Sequence, residues 1–268
     1  MKNLKKLPLI LSILSLASFI TPVNADVKVV ASIKPLHSLA SYLMDGVGKP
    51  DLIVEGYGSP HGFSMKPSHA KILQNADLIF WVGEDLEIFL EKPLSSIAKK
   101  AEKIELMEIK GLNVLKFRER NIFDEHDHDD HDDHGKKEDD HDDHEHDDHG
   151  KKEEHADHDD HDGHEGHAHG EYDPHIWLDP MNAKVILNEM VEHLIENDAK
   201  NASKYKSNLK NAFKDIDKLT ADVKADLSKS TASIVFHDAY QYFEERFDIN
   251  ILGAFTVNTD VMPGAEQL

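Results

Sequence analysis

The stretch that decides the fold runs from residue 76 to residue 106 and reads ADLIFWVGEDLEIFLEKPLSSIAKKAEKIEL. Its first seven residues form a short apolar run that predicts a buried β-strand. Apolar residues at helical spacing then predict a helix from about Leu86 to Lys99, and residues 103–106 predict another short strand. A strand, a helix and a strand in this order are typical of a parallel sheet that is covered by helices.

The same alternation extends from this unit toward both ends of the chain. Four further strands are predicted, at residues 27–32, 51–54, 232–236 and 249–255. Shorter helices are predicted at residues 36–45, 67–74, 181–196 and 239–246, and a long amphipathic helix at residues 199–227. The long helix would span about 43 Å at 1.5 Å per residue, which suits a connection between two lobes. We therefore expect an α/β fold whose ligand lies in the loops after the strands.

Residues 124–169 form a His/Asp-rich tract that differs sharply from the rest of the chain. The tract holds 14 of the 20 histidines, 22 acidic residues and four lysines, so it carries −18 of the formal charge of −22. Because it offers almost no apolar surface to bury, we expect it to be a disordered loop. The strong negative charge disfavours binding to nucleic acid and to anionic membrane surfaces.

The first 25 residues are typical of a secretory signal peptide. Three lysines precede an apolar run of 14 residues from Leu7 to Ile20, and small residues end the segment at Ala25. The apolar run is shorter than the roughly 20 residues that a membrane-spanning helix needs. The chain has no cysteine, which excludes disulfides, a thiolate zinc site and a lipid anchor on cysteine. We therefore predict an exported protein of the periplasm, soluble and monomeric.

Three of the six histidines outside the tract lie at predicted boundaries between strands or helices and loops. They are His61 in the loop after the second strand, His175 in a loop before a helix, and His237 directly after a strand. Three neutral imidazoles around an open fourth position are a zinc arrangement, although copper and nickel also accept imidazole ligands. For His37, His69 and His193 we expect structural roles.

The loops around these histidines carry motifs that extend over the mature chain. They are the Pro-His loop at residues 60–68, the sequence DPHIWLDP at 173–180, the sequence VFHDAYQYF at 235–243, Phe255-Thr-Val-Asn258, Pro263-Gly264, and a His/Asp-rich insert before the second loop. In this combination the sequence resembles the zinc-binding periplasmic proteins of ABC importers, the ZnuA type. The resemblance implies two β/α lobes joined by one long helix, with the metal in the cleft between them.

Carried over position by position, the resemblance places the metal ligands on His61, His175 and His237. Some relatives have Glu immediately before the first ligand, where this chain has Pro60, so the fourth ligand is expected to be a water or a residue of the tract. The resemblance also implies several tens of further residues after Leu268, including the last strands of the second lobe. The final residues 263–268 look like the first turn of a helix, so we expect a truncated C-terminal lobe.

These predictions divide the chain into six segments, which are a signal peptide at 1–25, an N-terminal β/α lobe at 26–123, a His/Asp-rich disordered loop at 124–171, a loop and helix at 172–198 that complete the first lobe, a linking helix at 199–228 and a partial C-terminal β/α lobe at 229–268. The predicted function is capture of Zn²⁺ in the periplasm and its delivery to a membrane permease with a cytoplasmic ATPase, without catalysis. The tract is interpreted as a zinc collector beside the cleft, the alternative being a solvated acidic linker.

Two other function classes remain open at this stage. Three histidines and a water also describe a catalytic zinc site, so a zinc hydrolase is one rival, although no His-Glu-x-x-His motif occurs. A periplasmic metal buffer or adhesin without transport is the other. Asp173, Asp179 and Asp238 are candidate acceptors that could orient the ligand imidazoles, but turn and capping roles are equally open for them. Trp177 is expected to pack beneath its loop.

Overall fold

The computed structural model describes residues 27–118, 170–227 and 232–256. Its six strands are β1 Val29–Ala31, β2 Asp51–Leu52, β3 Leu78–Trp81, β4 Glu102–Glu105, β5 Ser233–His237 and β6 Ile251–Thr256. Its six α-helices are α1 Lys34–Leu43, α2 Pro67–Asn75, α3 Glu84–Ser96, α4 Pro180–Asn197, α5 Ala202–Leu227 and α6 Gln241–Phe247. Short 3₁₀ turns lie at Leu106–Glu108, Ile176–Leu178 and Ala199–Asn201.

The first four strands form one parallel sheet in the order β2-β1-β3-β4. Because successive side chains of a strand point to opposite faces, its apolar residues divide between two cores. Val29 and Ala31 pack on the side of α1 and α4, whereas Val30 packs on the side of α2 and α3. All three residues are buried. The apolar runs seen in the sequence are therefore strands covered on both faces, as a parallel sheet requires.

Helix α5 is the long connection that the sequence predicts. Its N-terminal half packs on α1 and α4 and buries Tyr205, Asn208 and Ala212. The amide of Asn208 donates to Leu43 O at 2.7 Å and to Asp45 O at 3.0 Å, so it satisfies carbonyls at the end of α1. Helix α5 also contacts α6.

The second sheet consists of β5 and β6, which pair in parallel with α6 between them in the chain. Together with the first sheet and the long helix α5, it confirms the predicted α/β class with two β/α lobes. None of the helices that the structure describes has both the length and the apolar character needed to cross a membrane.

Two details differ from the sequence-based expectation. Helix α3 begins at Glu84 and ends at Ser96, not at Leu86 and Lys99. It ends early because the N–H groups of Ile97 and Ala98 both bond to Pro93 O, which closes the last turn. The apolar stripe predicted along α5 is covered only in part, since Leu219 lies beyond the core and is 56% exposed.

Several predictions fall outside the described residues. They are the signal peptide at 1–25, the His/Asp-rich tract at 124–169 and the helical turn at 263–268 that indicated a truncated lobe. The boundaries of the six predicted segments stay predictions.

Candidate metal centre

The three histidines selected from the sequence meet in space. Ligand atoms of His61, His175 and His237 all lie within 4.8 Å of one another. Nε2 of His175 and Nε2 of His237 are 3.2 Å apart. Two nitrogens bonded to one tetrahedral zinc at about 2.0–2.1 Å would be separated by about 3.3 Å, so this spacing fits two ligands of one ion. The ring centroids of the three histidines are 5.0–5.6 Å apart.

These side chains come from three separate parts of the fold. His61 lies in the loop after β2, and His237 is the last residue of β5. Carboxyl ends of parallel strands are where such folds bind ligands, which explains both positions. His175 immediately precedes the 3₁₀ turn Ile176–Leu178 that leads into α4. The site is thus built from both sheets and from the segment that enters α4.

Asp173 holds His175 in one orientation. Its Oδ1 accepts from the backbone N–H of His175 at 3.0 Å and lies 2.6 Å from Nδ1 of the same residue. Both side chains are buried. A proton on Nδ1 satisfies this carboxylate and leaves the lone pair of Nε2 directed at the other two histidines, which is the usual arrangement of a metal-binding imidazole.

Burial lowers the pKa of His237 to about 4, and the neighbouring ring of His175 acts in the same direction. The backbone of Thr256 and the carboxylate of Asp173 oppose this shift but do not cancel it. His237 is therefore neutral at physiological pH, the form in which imidazole binds a metal.

The surroundings of the three histidines form an open cavity of about 480 Å³. Its other walls are mostly apolar and aromatic, and they comprise Tyr57, Ser59, Pro60, Trp177, Leu178, Ala239 and Tyr240. In the part of the chain that the structure describes, no carboxylate oxygen belongs to this ligand cluster. The arrangement therefore offers three nitrogen ligands and space for a water or one further ligand.

Helix α6 forms hydrogen bonds with the segment that carries His175. The hydroxyl of the buried Tyr242 donates to Asp173 O at 2.6 Å and accepts from Leu115 N at 3.1 Å. Arg246 donates two hydrogen bonds to Asp179, with Nε to Oδ1 at 2.7 Å and Nη2 to Oδ2 at 2.6 Å. These hydrogen bonds link α6, which follows His237 in the chain, to the segment that carries His175. Sequence reasoning did not select Tyr242 or Arg246.

Described residues on both sides of the segment that contains the His/Asp-rich tract pair with each other near the metal centre. Lys116 and Tyr172 form an isolated antiparallel bridge, and Phe117 N donates to Glu171 O at 3.2 Å. We call residues 116–118 and 170–172 the stem. Arg118 of the stem pairs with Glu244, and its Nη1 lies 4.0 Å from Oδ1 of Asp238, the residue after His237. Arg118, the last described residue before the segment that contains the tract, therefore lies beside the residue that follows His237.

The remaining candidates have other contacts. Asp179 caps α4 by accepting from Met181 N at 2.8 Å, and Asp238 faces Arg118, so of the three aspartates only Asp173 contacts a ligand imidazole. Trp177 is partly buried against the main core, with its ring centroid 5.4 Å from that of His175.

The other three histidines of the described chain lie outside the cluster. Nδ1 of His69 accepts from Lys66 N at 3.1 Å at the start of α2, and Nε2 of His37 is 3.1 Å from Pro50 O. His193 lies among carboxylates on α4.

Comparisons with known proteins show the family to which the chain is similar. The family model of ZnuA, described as zinc-uptake complex component A, periplasmic, matches residues 29–268. The high-affinity zinc uptake system protein ZnuA of Brucella abortus is 46% identical over 242 residues, covering 90% of this chain and 70% of the relative. The protein of the same name from Haemophilus influenzae is 38% identical over 272 residues, covering 100% of this chain and 79% of the relative.

Solved structures show a similar fold. A crystal structure of ZnuA superposes with a TM-score of 0.65 at 18% identity, covering 91% of this chain and 75% of that one. The crystal structure of a 138-173 deletion mutant of ZnuA with zinc bound gives a TM-score of 0.63 at 17% identity, covering 91% and 74%. At these identities the likeness concerns the fold.

Proposed function

The chain belongs to the ZnuA family of periplasmic components of zinc-uptake complexes, and on that premise we propose that it captures Zn²⁺ with high affinity in the periplasm and delivers it to an ABC-type permease. Its ligands in this proposal are His61, His175 and His237. The ion is cargo that the protein binds and releases, and the protein performs no catalysis on it.

One observation carries the proposal, which is that three imidazoles from distant parts of the chain converge with ligand atoms within 4.8 Å of one another. Burying three basic rings together is unfavourable if they are protonated, because their charges would repel at short range in a partly dehydrated site. The pKa of His237 is lowered by burial and by the neighbouring His175, as this unfavourable protonation requires. Neutral rings at this separation have their lone pairs available for one divalent ion.

Delivery requires that Zn²⁺ can leave the site, and the set of ligands permits its release. Three neutral nitrogen ligands do not neutralise the charge of Zn²⁺. The fourth ligand, a water or a tract residue, can be exchanged. Protons compete with zinc for the same nitrogens, so acidification favours release.

The two rival functions differ in how the structure bears on them. A zinc hydrolase needs a general base close to the metal-bound water, and among the described residues the walls of the cavity include no carboxylate. Asp173, the carboxylate closest in role, is already engaged by His175. A buffer or adhesin would bind the same ion without a permease, and only a transport measurement separates it from the proposed function.

The tract at residues 124–169 is proposed to collect zinc for the cleft. Its stem ends at Gly170, five residues before His175, and Arg118 at the other end faces Asp238 next to His237. Fourteen tethered histidines would raise the local zinc concentration beside the cleft, because a tethered ligand acts at a high effective concentration.

The binding half of the proposal is tested by competition between the purified mature protein and a chromophoric zinc chelator at pH 7.5. A tight chelator suppresses weak binding by the tract, so the signal reports the cleft. Alanine at any one of His61, His175 or His237 should abolish the tight site. His37→Ala should leave it unchanged, because His37 contacts Pro50 O and is not part of the cluster. Unchanged affinity in all three ligand variants would refute the assignment.

The delivery half is tested by growth of a bacterial strain that lacks its own periplasmic zinc-binding protein but retains the permease. The chain should restore growth in zinc-depleted medium, and His175→Ala should not. A chain that binds zinc tightly but restores no growth, although it is exported, would support the buffer function and refute delivery.

A further inference from the structure

A second group of metal-binding side chains lies on the surface between β4 and α4. It consists of Glu102 on β4 and Glu189, His193 and Glu196 on α4. Ligand atoms of Glu102, His193 and Glu196 all lie within 4.8 Å of one another. None of these residues belongs to the cleft cluster, and the function proposed above does not use them.

The hydrogen bonding of His193 fixes which ring nitrogen faces this group. Nε2 lies 3.2 Å from Oε1 of Glu189, one helical turn earlier, and a carboxylate can only accept. The proton of a neutral ring is therefore on Nε2, and Nδ1 carries a lone pair. This is the second-layer arrangement that orients a metal-binding imidazole.

Nδ1 is placed against two further acceptors. It lies 2.7 Å from Oε1 of Glu102 and 3.8 Å from Oε2 of Glu196. Although Nδ1 is buried, it has no partner of hydrogen-bonding geometry within the described residues, so the short contact with Glu102 is not a hydrogen bond. A lone pair close to two carboxylate oxygens is repulsive unless a cation lies between them.

Glu102 is itself held in position. The side-chain amide of Asn197 donates to Oε2 of Glu102 at 2.9 Å and to the carbonyl of His193 at 3.0 Å. This contact occupies one oxygen of the carboxylate and leaves Oε1 directed at Nδ1. A ligand whose other oxygen is fixed by a hydrogen bond is typical of a metal site.

We propose that Glu102, His193 and Glu196 form a second site for a divalent first-row metal ion, with zinc as its occupant, separate from the cleft. One nitrogen and two carboxylate oxygens suit Zn²⁺, and water completes the coordination. The site is weaker than the cleft because Glu196 is 70% exposed and Glu102 is 40% exposed, so binding must immobilise two mobile side chains. An ion there would connect the edge strand β4 to the helix that follows His175.

The first measurement is the melting temperature in excess Zn²⁺ of a variant in which the three cleft histidines are alanine. Zinc at ten times the dissociation constant multiplies the folded-to-unfolded ratio by about 11, so the melting temperature should rise. The rise should disappear in His193→Gln and in Glu102→Gln, and should persist in His37→Gln. Glu102→Gln changes a partly exposed side chain on an edge strand, so it tests the site even if His193→Gln fails to fold. Mg²⁺ at the same concentration should give no rise, because an imidazole ligand disfavours it.

The second measurement is anomalous diffraction at the zinc absorption edge from crystals of the full mature chain grown with zinc. A peak bonded to Nδ1 of His193 and to oxygens of Glu102 and Glu196 is expected in addition to the cleft peak. A zinc-induced rise that survives both substitutions, the lack of any rise, or a cleft peak without the second peak would each overturn the proposal. In those cases the contacts between His193 and its neighbouring carboxylates have a structural role only.

Discussion

Replacing Asp173 with Asn should weaken zinc binding in the cleft by 10- to 100-fold, which corresponds to about 1.4–2.8 kcal/mol. Asp173 is buried and accepts two hydrogen bonds from His175, one from the backbone and one from Nδ1. Asparagine keeps a carbonyl oxygen at this position but removes the negative charge. Hydrogen bonds to a charged acceptor contribute about 1.5–3 kcal/mol and neutral ones about 0.5–1.5 kcal/mol. The two bonds together therefore lose about 2–3 kcal/mol, which overlaps the upper part of the loss that we expect.

The assay is competition for zinc with a tight chromophoric chelator at pH 7.5, with unfolding by urea as a parallel measurement of stability. Asp179→Asn is the matched control, because Asp179 is an equally buried aspartate in the same loop that contacts Met181 N and Arg246 and no histidine. It should lower the free energy of unfolding without changing zinc affinity beyond about twofold. Equal losses of affinity in the two variants, or no loss in Asp173→Asn, would refute the view that Asp173 acts by orienting His175.

Three further outcomes are expected. Burial raises the pKa of Glu87 to about 7 from 4.5. The free energy of unfolding should therefore fall by on the order of 3 kcal/mol as the pH rises from 4.5 through 7. Urea unfolding should show this pH dependence in the unsubstituted protein and not in Glu87→Gln. The pKa of His237 is lowered to about 4 from 6.5, so the metal-free protein should lose stability as pH falls from 6.5 toward 4, and His237→Gln should lose less in the same pH series. Deleting residues 124–169 should reduce the number of zinc ions bound, measured by elemental analysis, while the affinity of the cleft stays unchanged. The deletion should also slow growth in scarce zinc. If stoichiometry and growth both stay the same, the tract is a linker.

The ligand histidines could be predicted because their signals are local. His61 and His237 follow predicted strands, and parallel strands place their carboxyl ends together, so residues far apart in sequence could be expected at one site. His175 was selected because it lies in a loop before a helix, and the resemblance to a known family then placed the metal ligands on all three histidines. The metal-binding role of these three residues stays a prediction until metal is measured.

The supporting contacts could not be predicted from the sequence. Tyr242 bonds to Asp173 and Leu115, and Arg118 pairs with Glu244, across separations of 69, 127 and 126 residues. A tyrosine on a short helix, or an arginine in a connecting segment, carries no periodic signal that identifies its partner. The carboxylates around His193 were missed for the same reason, since Glu102 is 91 residues away and reaches the histidine only when β4 packs beside α4.

The stem formed by Lys116 and Tyr172 has a consequence for how the tract can vary. This pairing closes the chain before and after the inserted segment, so the length of the insert affects folding mainly through the entropy of loop closure. For a flexible loop that cost grows logarithmically, by about 0.6 kcal/mol for each doubling of length. Copies of the sequence HDDH, which recurs in the tract, can therefore be gained or lost at little expense to folding, and the number of histidines in the tract can differ between related chains while the fold around the cleft is kept.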